Sequence, residues 1–202
     1  MAPGIALALS AYALWGLLPL YFKLLLQVPA LQILCHRMLW SLLLLAAIVL
    51  LRRGGAWLHE LKPRMLLRFA ASATLLSCNW GLNIWAINHG QVLAASLEFV
   101  INPLLSVLLG ALVLGEALHG AQWLAVAIAA VGVAWLGALQ GQAPWLALGI
   151  AASFAAYGLL RKTAPLDALQ GLTLEAALLA PPALFYLAWC AWHSADGFVA
   201  GG

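Results

Sequence analysis

The segment ASLEFVINPLL (95–105) places a glutamate, an asparagine and a proline within six residues, in a stretch that is otherwise hydrocarbon. Glu98 and Asn102 lie one helical turn apart and share a face, which Ser106 and Gly110 continue. Pro103 has no N–H, so the carbonyl one turn earlier loses its helical donor. In an apolar medium a carboxylate, a carboxamide and an open carbonyl must find protein, a proton or water. An unpaired carboxylate there costs about 2–3 kcal/mol. The chemistry such a face supports is binding, either of a proton or of the polar part of a small solute.

Matching groups recur in neighbouring segments. CHRMLWS (35–41) brings His36 and Arg37, and NWGLNIWAIN (79–88) brings Asn79 and Asn83 one turn apart beside Trp80 and Trp85. Tyr12, Trp15, Gly16, Pro19 and Lys23 form one stripe of the first segment. A guanidinium holds a carboxylate through two parallel N–H bonds, so Arg37 is expected to pair with Glu98 or to hold an anionic group of a solute. The rival readings are structural. Glu98 would then snorkel to the interface or lock helices with Arg37, and the two asparagines would tie helices together. Pro19, Pro103 and Glu116 are candidates for structural or gating roles; Glu116 ends the fourth segment, where a loop or capping role is the alternative. Glu175, inside the seventh segment, has no evident mate. His36 lacks a second ligand at helical spacing, and Cys35, Cys78 and Cys190 form no CxxC pattern, so no metal, cofactor or disulfide is expected. No HExxH or GxSxG pattern occurs, which argues against an enzyme.

The elements that position these residues follow from composition. Apolar residues make up 66% of the chain and charged ones 7%, with a mean hydropathy of +1.03. A water-soluble domain of this length could not bury that much apolar surface, so the expected class is an all-α integral membrane protein. A bilayer core of about 30 Å needs about 20 apolar helical residues, and seven stretches qualify, at roughly 4–24, 31–51, 68–88, 94–114, 121–140, 144–161 and 173–193. Turn-forming sequences separate them, among them RRGG (52–55), NHGQ (88–91) and QGQAP (140–144). Arg52, Arg53, Lys62, Arg64 and Arg68 crowd the second connection, and Arg161 and Lys162 open the sixth. Alternating spans put both on one side, which the positive-inside bias makes cytoplasmic together with the N-terminus. The net charge of +3 therefore reports topology, and no nucleic-acid partner is expected. Ala121, Ala125 and Ala129, then Ala130, Ala134 and Ala138, give span five small-residue faces suited to close packing or a homodimer.

One repeat is visible. ALSAYALWGLL (8–18) lines up with IAASFAAYGLL (150–160), which makes span six the counterpart of span one and Tyr157 the counterpart of Trp15. Five spans per unit would insert the two copies in opposite senses, the inverted-repeat plan of secondary transporters. Residues 1–142 then form a first five-helix repeat and 143–202 the first two helices of a second. About seven helices of an expected ten are present on this reading, with three C-terminal helices missing.

The stretches YALWGLLPLYFKLL, VPALQILCHRMLWS, NWGLNIWAIN, ASLEFVINPLL, LGE, QWLAVAIAAVGVAWL and FAAYGLLRK resemble, in order and over essentially the whole chain, the RarD branch of the EamA family in the drug/metabolite transporter superfamily. The resemblance implies ten helices in two inverted five-helix units, an N-terminus inside and a central cavity between the units. Carried over by position, Trp15, Tyr21, His36, Arg37, Asn79, Asn102 and Glu116 match motif residues. In the family pattern the acidic residue falls where this chain has Ala94, and a glycine falls where it has Glu98. The resulting expectation is a multi-pass transporter of the bacterial inner membrane. It would export small organic metabolites or drug-like molecules, driven by proton or solute exchange, with Tyr12, Trp15, His36, Arg37, Asn79, Asn83, Glu98, Asn102 and Tyr157 along the path. The alternative is a non-transporting regulatory subunit that needs a partner chain.

Overall fold

The structure is a computed structural model and describes residues 2–139, 145–193 and 197. Seven α-helices follow one another in these residues: α1 (Ala2–Lys23), α2 (Ala30–Arg53), α3 (Pro63–Asn88), α4 (Val92–Leu114), α5 (Gly120–Leu139), α6 (Trp145–Lys162) and α7 (Ala168–Trp192). One 3-10 turn, Ala56–Glu60, lies between α2 and α3. The chain is all-helical, as its composition predicts, and each expected span coincides with a helix. The connection at 140–144, and with it the repeat boundary expected at 142/143, lies outside the described residues.

The turns show why the helices stop where they do. Gly54 ends α2 at φ 65° and its N–H bonds the Leu50 carbonyl. Pro63 starts α3 at a position where its missing N–H costs nothing, five residues before the expected start. Asp167 caps α7 by accepting the Gln170 N–H at 2.8 Å, which also starts that helix earlier than apolar content alone suggests.

Among the described residues four helices are long and apolar enough to cross a membrane: Gly4–Lys23, Ala30–Arg52, Val92–Leu114 and Ala168–Trp192. The more polar α3 and α6 lie inside the bundle. α3 packs against α1, α2, α4, α6 and α7, and α6 packs against α3 and α4. Ala147, Ala151 and Ala155 are buried and recur every four residues along α6, so its backbone comes close to its neighbours. This small-residue seam lies on α6. On α5, Ala121, Ala125, Ala130 and Ala134 of the expected small-residue faces are exposed and Ala129 is half-buried, while the side chain of Ala138 lies outside the described ones; outward residues such as Leu51, Leu112 and Trp192 are exposed and suit a hydrocarbon solvent.

Two apolar clusters fix the bundle's ends. At one end Val49, Trp57, Phe69 and Leu174 pack with Leu61, Ala164 and Leu166, which brings the two basic connections together. At the other, Val28, Ile33, Ile87 and Ile150 pack with Val92 and Leu146. The helices therefore alternate in direction.

Near the basic end the Arg161 side chain of α6 reaches Gly171 of α7, where a Cβ would collide with its guanidinium. That guanidinium is held there by the carbonyls of Asp167 and Ala168, at 3.2 and 3.5 Å. Gly171→Ala is therefore expected to lower stability by about 1–3 kcal/mol, the usual range for overpacking. Thermal unfolding followed by helicity in detergent checks this; an unchanged midpoint would mean that Arg161 has another place to go.

Candidate functional site

A cavity of about 200 Å³ opens between α1, α3, α4 and α6. α1 supplies Tyr12, Trp15 and Pro19, α3 supplies Asn79, Trp80 and Asn83, α4 supplies Glu98, Phe99, Asn102 and Pro103, and α6 supplies Phe154. α2 contributes no lining residue. Six of the nine residues expected along a solute path thus share one cavity, together with both candidate prolines.

Glu98 is the seventh residue of α4, about 9 Å along the helix at 1.5 Å per residue. It is buried at 6% exposure, and α3 supplies its partners. Asn79 Nδ2 donates to one carboxylate oxygen at 2.7 Å, and Asn83 Nδ2 donates to the other. Asn79 and Asn83 are one turn apart, so a single α3 face meets the carboxylate twice. Asn79 Nδ2 also donates to the Ile150 carbonyl of α6 at 2.9 Å, which ties three helices through one side chain. Asn102 accepts the Ser106 hydroxyl at 3.3 Å.

Aromatic rings form the apolar wall. Tyr12 and Trp15 meet edge to face at 5.6 Å, and Trp15 lies 6.3 Å from Phe99 across the α1–α4 gap. Pro19 and Pro103 deprive the carbonyls of Trp15 and Phe99 of their helical donors, and both of those residues also line the cavity.

Arg37 sits elsewhere. Its guanidinium lies over the Trp80 ring at 3.1 Å, behind the cavity wall, and its buried Nη1 has no hydrogen-bond partner among the described residues. Among the described residues no ion pair joins it to Glu98. The expected pairing rested on matched depth, and the rotation of α2 about its axis turns Arg37 toward α3. His36 is half-buried and is not part of the cavity lining.

Tyr157 belongs to a second polar cluster nearer the basic end. Glu175, at 1% exposure, accepts from Ser72 Oγ at 2.6 Å and from Tyr157 OH at 3.3 Å, and Arg161 Nε lies 3.9 Å from it. Its mates are therefore within this chain, on α3 and α6, which corrects the expectation that it lacked one. The sequence carried a signal for them, since Tyr157 and Arg161 are one turn apart on α6. Glu116 lies two residues beyond α4. Gly115, at φ 69°, turns the chain so that the Glu116 N–H reaches the Gly110 carbonyl at 3.3 Å and its carboxylate pairs with Lys162. Both partners are about half exposed, so Glu116→Ala is expected to change stability by less than about 1 kcal/mol. A fall in the thermal midpoint as large as that of Gly171→Ala would contradict this.

Among the described residues no cluster of three or more His, Cys, Asp or Glu side chains suits a metal. The arrangement is a polar patch in an aromatic cavity inside an apolar helix bundle, suited to holding a small amphipathic molecule.

Comparison with known proteins adds a family. Residues 2–138 match the EamA-like transporter family. The chain is 47% identical over 186 residues to an uncharacterized transporter of Pseudomonas aeruginosa, covering 91% of this chain and 62% of that protein. It is 43% identical over 201 residues to Protein RarD of Streptomyces exfoliatus, covering 98% of this chain and 64% of the relative. It is also 43% identical over 186 residues to Protein RarD of Escherichia coli K12, covering 91% and 63%. The chain thus spans a little under two thirds of the length of these relatives. No solved structure matches it.

Proposed function

The chain belongs to the EamA-like transporter family, a family of membrane transporters and not of enzymes, and from that premise we propose that it acts as a secondary-active carrier of small organic metabolites or drug-like molecules. The observation that carries this reading is Glu98, a buried carboxylate held by two amides in an aromatic-walled cavity of an otherwise apolar bundle. In the proposed cycle a solute enters the cavity, its apolar part rests on Tyr12, Trp15 and Phe99, and Glu98 engages its polar part or a coupling proton. Arg37 backs the wall through Trp80. The cavity opens alternately to the two membrane faces as the two units rock against each other.

Two features support the two-repeat organisation, with residues 1–142 as the first unit and 143–202 as the start of the second. The Tyr12–Trp15 ring pair of α1 has a counterpart in Phe154 and Tyr157 of α6, with centroids 5.6 and 5.7 Å apart. Ala30-Leu31-Gln32 opens α2 as Ala168-Leu169-Gln170 opens α7, which makes Arg37 and Glu175 the eighth residue of their helices. The positive-inside bias supports a bacterial inner-membrane orientation with the N-terminus and the basic end in the cytoplasm. The exposed small-residue faces of α5 support a homodimer contact there.

The test is accumulation of a panel of labelled amphipathic compounds in a bacterial host, with and without the protein. At least one compound is expected to change its steady-state level in a manner abolished by an uncoupler. A protein that moves none of them, yet purifies in fixed ratio with a second membrane protein, would favour the regulatory-subunit reading.

A further inference from the structure

We infer that the cavity takes an organic monocation and that Glu98 holds its charge, an inference that names the solute class for the carrier reading above. Two buried carboxylates in this bundle have opposite surroundings. Glu175 has a cationic neighbour, with Arg161 Nε at 3.9 Å, and lies outside the cavity lining. Glu98, also buried, has two amides and no cation on it among the described residues.

One of the two amides has a fixed orientation. Asn79 cannot be turned around, because its Nδ2 donates both to Glu98 and to the Ile150 carbonyl, and both partners are acceptors. The Glu98 oxygen that Asn79 meets is therefore an acceptor, and Asn83 Nδ2 meets the other oxygen. A carboxylate this deep carries its charge when a counter-charge meets it. Arg37 does not supply one, since its guanidinium lies over Trp80 and outside the lining. A cation that enters the cavity would supply it.

The walls say what kind of cation this is. Tyr12, Trp15, Phe99 and Phe154 surround the carboxylate's cavity, and aromatic rings attract organic cations through their quadrupoles. A hard metal ion would want several oxygen ligands and no such wall. An anion would face Glu98 directly. A substituted ammonium carried on a small apolar body satisfies both the carboxylate and the rings, and about 200 Å³ leaves room for it.

The experiment is isothermal titration calorimetry on the chain in detergent micelles with three probes of similar size: benzyltrimethylammonium, benzyl alcohol and phenylacetate. Saturable binding is expected for the cation alone. Glu98→Gln should weaken it by about thirtyfold or more, as loss of a buried charge partner does. Trp15→Ala should weaken it by about tenfold through the lost ring. Phenylacetate or benzyl alcohol binding as tightly as the cation would overturn the inference, as would equal cation binding by Glu98→Gln or no binding of the cation. If either variant fails to fold, the comparison of the three probes on the unmutated chain decides alone. Transport is read separately. Cation binding without any flux would defeat the carrier reading and leave this one standing. Flux of neutral or anionic solutes without cation binding would do the reverse.

Discussion

Arg161→Ala is expected to be the most destabilising of the substitutions considered, by about 3–5 kcal/mol, the usual loss when one member of a buried charge pair is removed. Glu175 is 1% exposed, and its remaining partners, Ser72 and Tyr157, supply hydroxyls but no positive charge. The same truncation also empties the notch at Gly171 and strips the Asp167 and Ala168 carbonyls of a donor at the start of α7. Adding Glu175→Gln should recover much of the loss, because a neutral amide needs no counter-charge while still meeting the Ser72 and Tyr157 hydroxyls. Thermal unfolding of the single and double variants in detergent measures the coupling. If Arg161→Ala costs no more than Glu116→Ala, the pair is not the lock between α6 and α7 that the geometry indicates.

The second large effect concerns function. Glu98→Ala removes the acceptor of two amide donors, each buried or half-buried, and leaves an uncharged cavity. An unsatisfied buried donor costs about 1–3 kcal/mol, so stability should fall, though by less than with Arg161→Ala because Asn79 retains the Ile150 carbonyl. The change in solute accumulation should disappear, a loss of about 100-fold or more in flux, if Glu98 binds the solute or the coupling ion. A variant that folds and transports like the parent would reduce Glu98 to a helix tie. Asn79→Ala separates the two roles: it loosens the α3–α6 contact at Ile150 while leaving the carboxylate and Asn83 in place.

Much of this architecture was legible in the sequence because a bilayer-spanning helix is a simple object, about 20 apolar residues between turn-forming pairs. The gathering of Asn79, Asn83 and Glu98 was legible too. These polar types are expensive in hydrocarbon, so residues at matched depth on adjacent spans tend to meet. What the sequence could not provide was the rotation of each helix about its own axis. Arg37 lies at a depth suited to Glu98, but its face of α2 turns to Trp80. The sequence leaves Glu175 without an evident mate for the same reason, since Ser72 is remote in sequence and Arg161 reaches it only because Gly171 leaves space. Alanine is most frequent on α5, but frequency alone does not tell which helix carries a seam buried within the chain. α6 carries the buried one because Ala147, Ala151 and Ala155 face the crowded side of the bundle, whereas α5 lies against α4 at its edge.

The polar face of α4 lines a cavity inside an apolar bundle, and labelling with a charged, membrane-impermeant thiol reagent tests most directly whether water reaches it. In a background lacking Cys35, Cys78 and Cys190, Ser96→Cys places a thiol in the cavity lining and Leu112→Cys places one on the outward apolar face of the same helix. In intact proteoliposomes Ser96→Cys is expected to react and Leu112→Cys is not. Equal reactivity at the two positions, or a silent Ser96→Cys beside a reactive Leu112→Cys, would contradict it.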